Sequence, residues 1–296
     1  MKRYLFALML LGASLLGGCA PKESKDDKHK PLVIVSIPPY ISLVKAIAGD
    51  TVSIVSVVPP NFDPHTMEVT PRQWELVQGA SLFVAIGETY EKKLLQTLLD
   101  EQKDLQVLDL NAKTPLIPYS HDSHCPDACH SHSHSTKEAQ DIHFWLSPKS
   151  LEIQLKVLTQ SLIKICPDLE ETYNKNAASY VEKIQRLDHD IQVMLKPYQG
   201  KGIIVSHAAL GYFCHDYHLI QIPVECEGKS PLPQDINRAL DLVARTDIAC
   251  VFIAPQYNNK GAEKIAEELK LRTYTFDPLS EDLLKTLEQI AKDITN

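Results

Sequence analysis

The stretch Leu32-Val33-Ile34-Val35-Ser36 decides the fold class, because it is a short apolar run rich in β-branched residues. Such a run is expected for a strand that is buried in a parallel sheet. Pro38-Pro39 ends the strand, and a helix is predicted to follow as far as about Gly49, which suits a C-cap. The folded region is therefore predicted to begin with a strand and a helix.

The same alternation of strand and helix continues to residue 110. Thr70 is a predicted N-cap, with Pro71 at the first helical position and Gln73 three residues after the cap. Strands that alternate with helices predict a parallel sheet. The three further strands expected in this lobe lie at residues 52–58, 82–86 and 106–110.

A long helix is predicted near the middle of the chain. Ser147-Pro148 begins one helix that runs to about Cys166, and Asp168, with Glu171 three residues on, is predicted to cap a second. Apolar residues then recur at steps of three and four through residue 194, which is a continuous helical stripe. A helix of about 28 residues spans roughly 40 Å. It could bridge two lobes, and the alternative is a long helix inside one domain.

The strand and helix alternation resumes at residue 202, so the predicted fold class is α/β. Two lobes, each a mostly parallel four-stranded sheet with flanking helices, are joined by one long helix. The predicted boundaries are 31–166 for the N-terminal lobe, 167–198 for the linking helix and 199–296 for the C-terminal lobe. In the second lobe, strands are predicted at 202–206, 219–224, 248–253 and 273–276, and helices at about 233–245, 258–270 and 281–294.

Composition and charge limit the classes of partner. With 296 residues and 44% hydrophobic content, the chain is long enough to bury two ordinary cores. Its formal net charge of -8 argues against nucleic acid as a partner and suits a surface that handles cations.

The N-terminus has the composition of a targeting segment. Met1-Lys2-Arg3 supplies positive charge, and residues 4–16 form an apolar run too short to remain as a membrane-spanning helix. We expect a signal peptide at 1–18 and, because Cys19 directly follows Leu16-Gly17-Gly18 as in a bacterial lipobox, a lipid anchor at that cysteine. The alternative is an ordinary signal peptide that happens to carry a cysteine. Residues 19–30, charged from Pro21 onward, would form a solvated tether.

A low-complexity tract at residues 121–134 concentrates imidazoles, thiols and carboxylates, a composition typical of metal capture. We expect a histidine-rich loop at 120–140 with an accessory role in collecting zinc. Cys125 and Cys129 inside it could be a disulfide, a soft-metal site or a fortuitous pair. With Cys19 set aside, an even number of cysteines remains, and the sequence does not choose their pairing. The histidines of the tract are His121, His124, His130, His132 and His134.

Four potential metal ligands follow predicted strands or begin a predicted helix. His65 follows the second strand, His207 and Asp277 directly follow strands of the second lobe, and His143 lies where a loop enters a helix of the first. Binding sites in open parallel sheets form beyond the carboxyl ends of the strands. Facing lobes would therefore bring three imidazoles and one carboxylate together, which is enough for a four-coordinate site.

Each candidate alone also has a structural explanation. A single histidine after a strand is more often a loop or cap residue, and Asp277 before a proline is a common turn signature. Glu68 and His189 are expected on solvated helix faces, and His215 and His218 receive no role. Only the joint placement of the four candidates favours a metal site.

Four pieces of sequence occur in one order along the chain: Asp63-Pro64-His65-Thr66-Met67-Glu68, Asp141-Ile142-His143-Phe144-Trp145-Leu146-Ser147-Pro148, Ser206-His207-Ala208-Ala209-Leu210-Gly211-Tyr212-Phe213 and Thr275-Phe276-Asp277. Together they resemble the solute-binding lipoproteins of metal-importing ABC transporters, the zinc- and manganese-binding cluster of periplasmic binding proteins. The resemblance covers residues 31–296. The second piece is quite specific, whereas the aspartate piece alone is weak.

The resemblance implies two α/β lobes joined by one rigid long helix, with the metal in the cleft. It carries over His65, His143, His207 and Asp277 as ligands. The implied partners are the permease subunits of an ABC importer with a cytoplasmic ATPase. The implied protein is a monomer outside the cytoplasm that performs no chemistry on its ligand. A histidine-rich loop is typical of the zinc members, and manganese members generally have a glutamate where this chain has His207.

Ligand chemistry favours zinc, which accepts imidazole nitrogen readily, over manganese, which prefers oxygen. Manganese or iron in the same role is the alternative, and the order of affinities alone would also admit copper or nickel. Because the ligands must be deprotonated, affinity is predicted to fall below about pH 6.

Two other functions compete with metal import. A zinc hydrolase or lyase needs an open metal position and a general base, whereas Asp277 would fill the fourth position and the sequence has no His-Glu-x-x-His signature. The second is a metal-dependent adhesin with a structural metal. The resemblance therefore implies high-affinity zinc binding outside the cytoplasm and delivery to the permease of an ABC importer.

Overall fold

Short parallel strands form two four-stranded sheets, as the sequence predicted. The structure is a computed structural model that describes residues 30–118, 140–225 and 233–296, and for residues 233–235 it describes the backbone alone. The strands are β1 Leu32–Val35, β2 Ser53–Ser56, β3 Ala80–Ala85, β4 Gln106–Asp109, β5 Gly202–Val205, β6 Ile220–Pro223, β7 Ile248–Ile253 and β8 Thr273–Thr275.

Both sheets have the same strand order, β2-β1-β3-β4 in the first and β6-β5-β7-β8 in the second. All pairings are parallel; for example, Ile34 lies opposite Val55 on one side and Phe83 on the other. In each sheet the order reverses beside the first strand, so each has a crevice at the carboxyl ends of its central strands, between β1 and β3 or between β5 and β7. Two such crevices are the expected positions for ligand-binding side chains.

Two of the predicted helix N-caps are present and one is not. The Thr70 side chain accepts from the Gln73 amide in a full capping box, and the Ser147 side chain accepts from the Ser150 amide. The predicted Asp168 cap is wrong, because a 3₁₀ turn occupies that position and the long helix begins after it. The helices are α1 Pro39–Ala48, α2 Pro71–Val77, α3 Thr89–Glu101, α4 Pro148–Ile165, α5 Glu170–Leu195, α6 Gly211–Tyr217, α7 Pro233–Val243, α8 Lys260–Leu269 and α9 Leu283–Thr295.

Helix α5 contacts both lobes, which confirms the predicted joining helix. Near its start, the Tyr173 hydroxyl lies 2.6 Å from the Thr51 hydroxyl of the first lobe. The Asn176 side chain donates to a backbone carbonyl of the same lobe at 2.9 Å. Three turns further on, Asp188 accepts from the hydroxyl of Tyr217 in the second lobe at 2.7 Å. Helix α5 is therefore hydrogen-bonded to both lobes and links the two sheets.

One cluster of buried apolar side chains extends through both lobes. It includes Phe144 and Trp145 from the first lobe and Tyr212, Phe213 and Phe276 from the second. The Trp145 indole also donates to the Pro278 carbonyl of the second lobe at 2.8 Å. The lobes thus share an interior, and a second, smaller cluster covers the far face of the C-terminal sheet.

Several predictions concern residues outside the described ranges: the signal peptide, Cys19, the tether, and the histidine-rich tract with Cys125 and Cys129. Among the cysteines that are described, Cys166, Cys214 and Cys250 are free thiols.

None of the helices in the described ranges is both apolar enough and long enough to pass through a bilayer.

Candidate metal site

Three histidines from three different chain segments meet between the lobes. His65 lies in a 3₁₀ turn after β2, where its amide donates to the Asp63 carboxylate at 3.0 Å. His143 directly precedes the 3₁₀ turn Phe144–Leu146, which leads into α4. His207 follows β5 of the second lobe. The structure therefore brings together the three imidazoles that the sequence singled out.

The three rings direct one nitrogen each toward a common point. His207 Nε2 lies 3.1 Å from His143 Nε2 and 3.3 Å from His65 Nε2. One ligand atom from each residue lies within 4.8 Å of the other two. Two nitrogens bound to one tetrahedral zinc, at about 2.0–2.1 Å each, would lie roughly 3.4 Å apart. The observed spacings suit a single transition-metal ion.

The other nitrogen of each ring faces a carboxylate. Asp141 Oδ1 lies 2.8 Å from His143 Nδ1, and Glu225 Oε1 lies 3.2 Å from His207 Nδ1. Glu88 Oε1 lies 3.3 Å from His65 Nδ1. All three carboxylates are buried. None of them was predicted from the sequence, although Glu88 and Glu225 follow β3 and β6, as His65 and His207 follow their strands.

Burial dominates the electrostatics of the site. His143 and His207 are each only 1% exposed. Burial, with the neighbouring His143 and His65, lowers the pKa of His207 well below its usual value, so the ring stays neutral and able to bind a metal. Burial also raises the pKa of Glu225 to about 8, and the nearby Asp63 adds to the effect. A site with this balance lacks positive charge.

Tyr257 covers one face of the site. Its ring stacks on His207 with centroids 3.8 Å apart and an interplanar angle of 14°. Burial raises the pKa of its phenol, and four carboxylates around it raise the pKa further. Tyr257 lies on the loop after β7, and the sequence offered no signal for it beyond being aromatic.

Asp277, the fourth predicted ligand, does not belong to the cluster of histidines in this structure. Its Oδ1 accepts from the Gln256 side chain at 2.6 Å and from the Leu279 amide at 2.8 Å. The contact with the backbone amide two residues on is the turn geometry that was the alternative explanation. Asp277 nevertheless lies close enough to Tyr257 to raise the pKa of its phenol.

The other histidines of the described ranges, and Glu68, are not part of the cluster. His215 is exposed beside Asp216, and His218 ends α6 in the left-handed conformation. His189 is an exposed residue of α5, and Glu68 is exposed on the chain that precedes α2.

The donor set fits a divalent transition metal. Three neutral imidazoles supply nitrogen ligands of the kind that zinc accepts. Glu88 Oε1 and Glu225 Oε2 are buried oxygens without a hydrogen-bond partner, which is costly unless positive charge lies nearby. A cation among the three rings would supply that charge.

Comparison with known proteins also points to a protein that binds a transition metal. The family described as "ZnuA: Zinc-uptake complex component A periplasmic" has a sequence model that matches residues 33–296. The high-affinity zinc uptake system protein ZnuA of Bacillus subtilis is 26% identical over 295 residues, covering 98% of this chain and 89% of its own. A crystal structure of ZnuA, 29% identical, superposes with a TM-score of 0.78 over 90% of this chain and 98% of its own. A second crystal structure, of a ZnuA deletion mutant with zinc bound, is also 29% identical, with a TM-score of 0.76 over 90% and 97% of the two chains.

Proposed function

The chain belongs to the family of periplasmic zinc-uptake complex components A, and from that premise we propose that it binds zinc outside the cytoplasm and delivers it to an ABC importer. The importer would consist of permease subunits in the membrane and a cytoplasmic ATPase. The protein would act as a binding protein and leave its cargo chemically unchanged.

The observation that carries this proposal is the convergence of three Nε2 atoms from two lobes on one point. We assign His65, His143 and His207 as zinc ligands. Asp277 is proposed as the fourth, reaching the metal after a change of its side chain, since Gln256 and the Leu279 amide now hold one of its oxygens.

Zinc is favoured over manganese because the donors that face the common point are nitrogens. A manganese or iron ion would be expected to bind mainly oxygen ligands, whereas these three rings supply only nitrogen. Three ring nitrogens also leave copper and nickel as competitors by affinity, so the test must include these metals.

Some of the remaining parts of the proposal concern residues outside the described ranges. They are a signal peptide at 1–18, a lipid anchor at Cys19, a tether at 19–30 and a histidine-rich loop that collects zinc for the site. The lobe boundaries at residues 166 and 199 and the monomeric state belong to the same proposal.

Metal competition on the mature protein tests the site. Zinc, manganese, copper and nickel are titrated against a chromophoric chelator, with the tract 121–134 deleted from parent and variant alike. His143→Ala is expected to weaken zinc binding by at least a hundredfold, since removing one of the three imidazole ligands leaves an incomplete coordination shell. Equal zinc affinity in parent and variant would end the assignment.

Transport into cells tests delivery. A strain that lacks the protein should take up zinc poorly, and the parent chain, but not His143→Ala, should restore uptake. Restored adhesion without any change in zinc uptake would favour the metal-dependent adhesin instead.

A further inference from the structure

Three buried carboxylates stand behind the three imidazoles, one for each ring. They come from separate places in the fold: Glu88 at the start of α3, Asp141 two residues before His143, and Glu225 just after β6. Each faces the Nδ1 atom of its histidine, on the side of the ring away from the common point. One such pair could be incidental, but the same arrangement at all three rings indicates a shared purpose.

The physical effect of this arrangement is to fix the tautomer of each ring. A neutral imidazole carries its proton on one nitrogen and a lone pair on the other. A carboxylate at Nδ1 favours the proton there, which leaves the lone pair on Nε2, where a metal needs it. The hydrogen bond also fixes the rotation of the ring.

We propose that Asp141 and Glu225, which hydrogen-bond to Nδ1 of their rings, are positioning residues that hold these imidazoles in the tautomer and orientation required to bind a divalent cation. Glu88, 3.3 Å from His65 Nδ1, is proposed to orient the third ring. The proposal rests on the proposed function, because it takes the three histidines as the ligands. None of the three carboxylates is proposed to touch the metal. They act through the rings.

Charge supports the same assignment. Within the described residues, the nitrogen group that each of these carboxyl groups faces is an imidazole rather than a lysine or arginine. Glu88 Oε1, which faces His65 Nδ1 at 3.3 Å, makes no hydrogen bond, and Glu225 Oε2 is likewise buried without a hydrogen-bond partner. A divalent ion held between the rings would supply positive charge about one ring width from each of these carboxyl groups.

Asp141 is the most firmly held of the three. Its Oδ1 accepts from both the Nδ1 and the backbone amide of His143, each at 2.8 Å. Its backbone carbonyl accepts from the Tyr212 hydroxyl of the second lobe at 2.9 Å. Asp141 therefore ties the orientation of a first-lobe ring to the position of helix α6 in the other lobe.

Gly211 shows how closely the fold packs around this carboxylate. A Cβ at position 211 would lie only 2.2 Å from Asp141 Oδ2. Any side chain there must displace the carboxylate or helix α6. Gly211→Ala is therefore a way to disturb Asp141 without changing a ligand or the carboxylate itself.

The first experiment compares Asp141→Ala with Asp141→Asn in zinc competition on the mature protein. The alanine variant removes the acceptor and is expected to weaken zinc binding about 10–100-fold. The asparagine variant keeps an acceptor oxygen for Nδ1 and should restore most of the affinity. Asp293→Asn is the matched control and should bind zinc like the parent, because that buried carboxylate accepts from Gln289 of its own helix.

The second measurement distinguishes positioning from a merely structural role. Nitrogen-15 NMR of the metal-free protein reports which nitrogen of each imidazole carries the proton. His143 is identified by the signal lost in His143→Ala. The parent should show the proton on Nδ1, and Asp141→Ala and Gly211→Ala should shift the signal toward a mixture of tautomers. Thermal unfolding of each metal-free variant establishes that the fold is retained.

The outcomes separate this proposal from the proposed function. If the parent fails to bind zinc, the proposed function is wrong. If the parent binds zinc and Asp141→Ala binds equally well, only the positioning role is wrong. The same conclusion follows if asparagine fails to rescue the alanine variant, or if the tautomer of His143 is unchanged in Asp141→Ala.

Discussion

At the scale of single residues, Tyr257 shows how a side chain that offers no metal ligand can still affect the site. Its ring lies parallel to that of His207 at a centroid distance of 3.8 Å. Stacked aromatic pairs contribute about 0.5–1.5 kcal/mol beyond the area that they bury. Tyr257 therefore restricts the tilt of His207, the imidazole that the second lobe contributes to the cluster.

Substitution of Tyr257 should separate stacking from the phenol. Tyr257→Phe keeps the stack and is expected to bind zinc within about twofold of the parent, whereas Tyr257→Ala should bind roughly 2–10-fold more weakly. Chelator competition measures both. A loss in Tyr257→Phe as large as that in Tyr257→Ala would show that the hydroxyl, and not the stacked ring, is the important group.

The sequence predicted the histidines of the site better than the groups behind them. His65 and His207 could be found because they are rare residues at the ends of strands. Glu88 and Glu225 occupy equivalent positions, but glutamate is common on protein surfaces, so position alone does not distinguish a buried carboxylate from an exposed one. The Asp277 carboxylate accepts a hydrogen bond from Gln256. A sequence pattern does not reveal which side chain will donate to a carboxylate.

At the scale of elements, helix α5 decides whether the two half-sites face each other. It is hydrogen-bonded to the first lobe through Tyr173 and Asn176 and to the second through Asp188. A helix that is continuous over Glu170–Leu195 transmits the position of one sheet to the other. A break in its exposed middle should disturb both stability and the geometry of the metal site.

Proline and glycine at Ala178, an exposed residue of α5, test this role. Ala178→Pro is expected to lower the free energy of unfolding by about 3 kcal/mol, and Ala178→Gly by about 1 kcal/mol. Urea denaturation of the metal-free protein measures both. Zinc affinity should fall in the proline variant beyond what the glycine variant shows. Equal zinc affinity in the two variants would mean that α5 does not set the geometry of the site.

The elements that the sequence missed have local causes. Helix α6 is only seven residues long and begins at Gly211, and its amphipathic pattern is too short to be recognised. The long helix begins after a 3₁₀ turn at Pro167–Leu169, so Asp168 lies within that turn and not at the cap. The strands were easier to predict, because continuous apolar runs between turn residues are distinctive over four residues.

At the scale of the whole molecule, a metal held by both lobes should stabilise the entire fold. Of the four proposed ligands, His65 and His143 come from the first lobe, and His207 and Asp277 come from the second. At a free zinc concentration about 100 times the Kd, binding adds about 2.7 kcal/mol, which corresponds to a rise in Tm of roughly 5–10 °C for a chain of this size. Scanning calorimetry with and without zinc measures the shift. His207→Ala should abolish it, and a full shift in that variant would contradict a site shared by both lobes.

Stability of the metal-free protein should also depend on pH through Glu91. This carboxyl is 3% exposed, and burial raises its pKa from 4.5 to about 7, although Ser36 and the Ile86 and Gly87 amides hydrogen-bond to it. The folded state therefore holds this proton more tightly than the unfolded chain. Its contribution is fully present below about pH 4.5 and is lost as the pH rises through 7, a change of roughly 3 kcal/mol.

Glu91→Gln isolates that contribution. The free energy of unfolding is measured by urea at pH 5 and pH 8 in parent and variant, both without metal. The parent should lose about 2.5 kcal/mol more than the variant between the two pH values, whatever the absolute stability of the variant. The same change in both proteins would show that Glu91 titrates normally in the folded state.

The shared interior has a consequence for how the cargo leaves. One apolar cluster contains Phe144 and Trp145 of the first lobe and Tyr212 and Phe213 of the second. A hinge motion that separated the lobes would therefore expose all four rings to water. Sliding one half along the other would keep those rings dry and would still carry the His207 nitrogen out of reach of the ion. We therefore expect an importer to unload this protein by making one lobe slide along the other. The zinc would then keep two imidazole nitrogens and could pass to the next binding site.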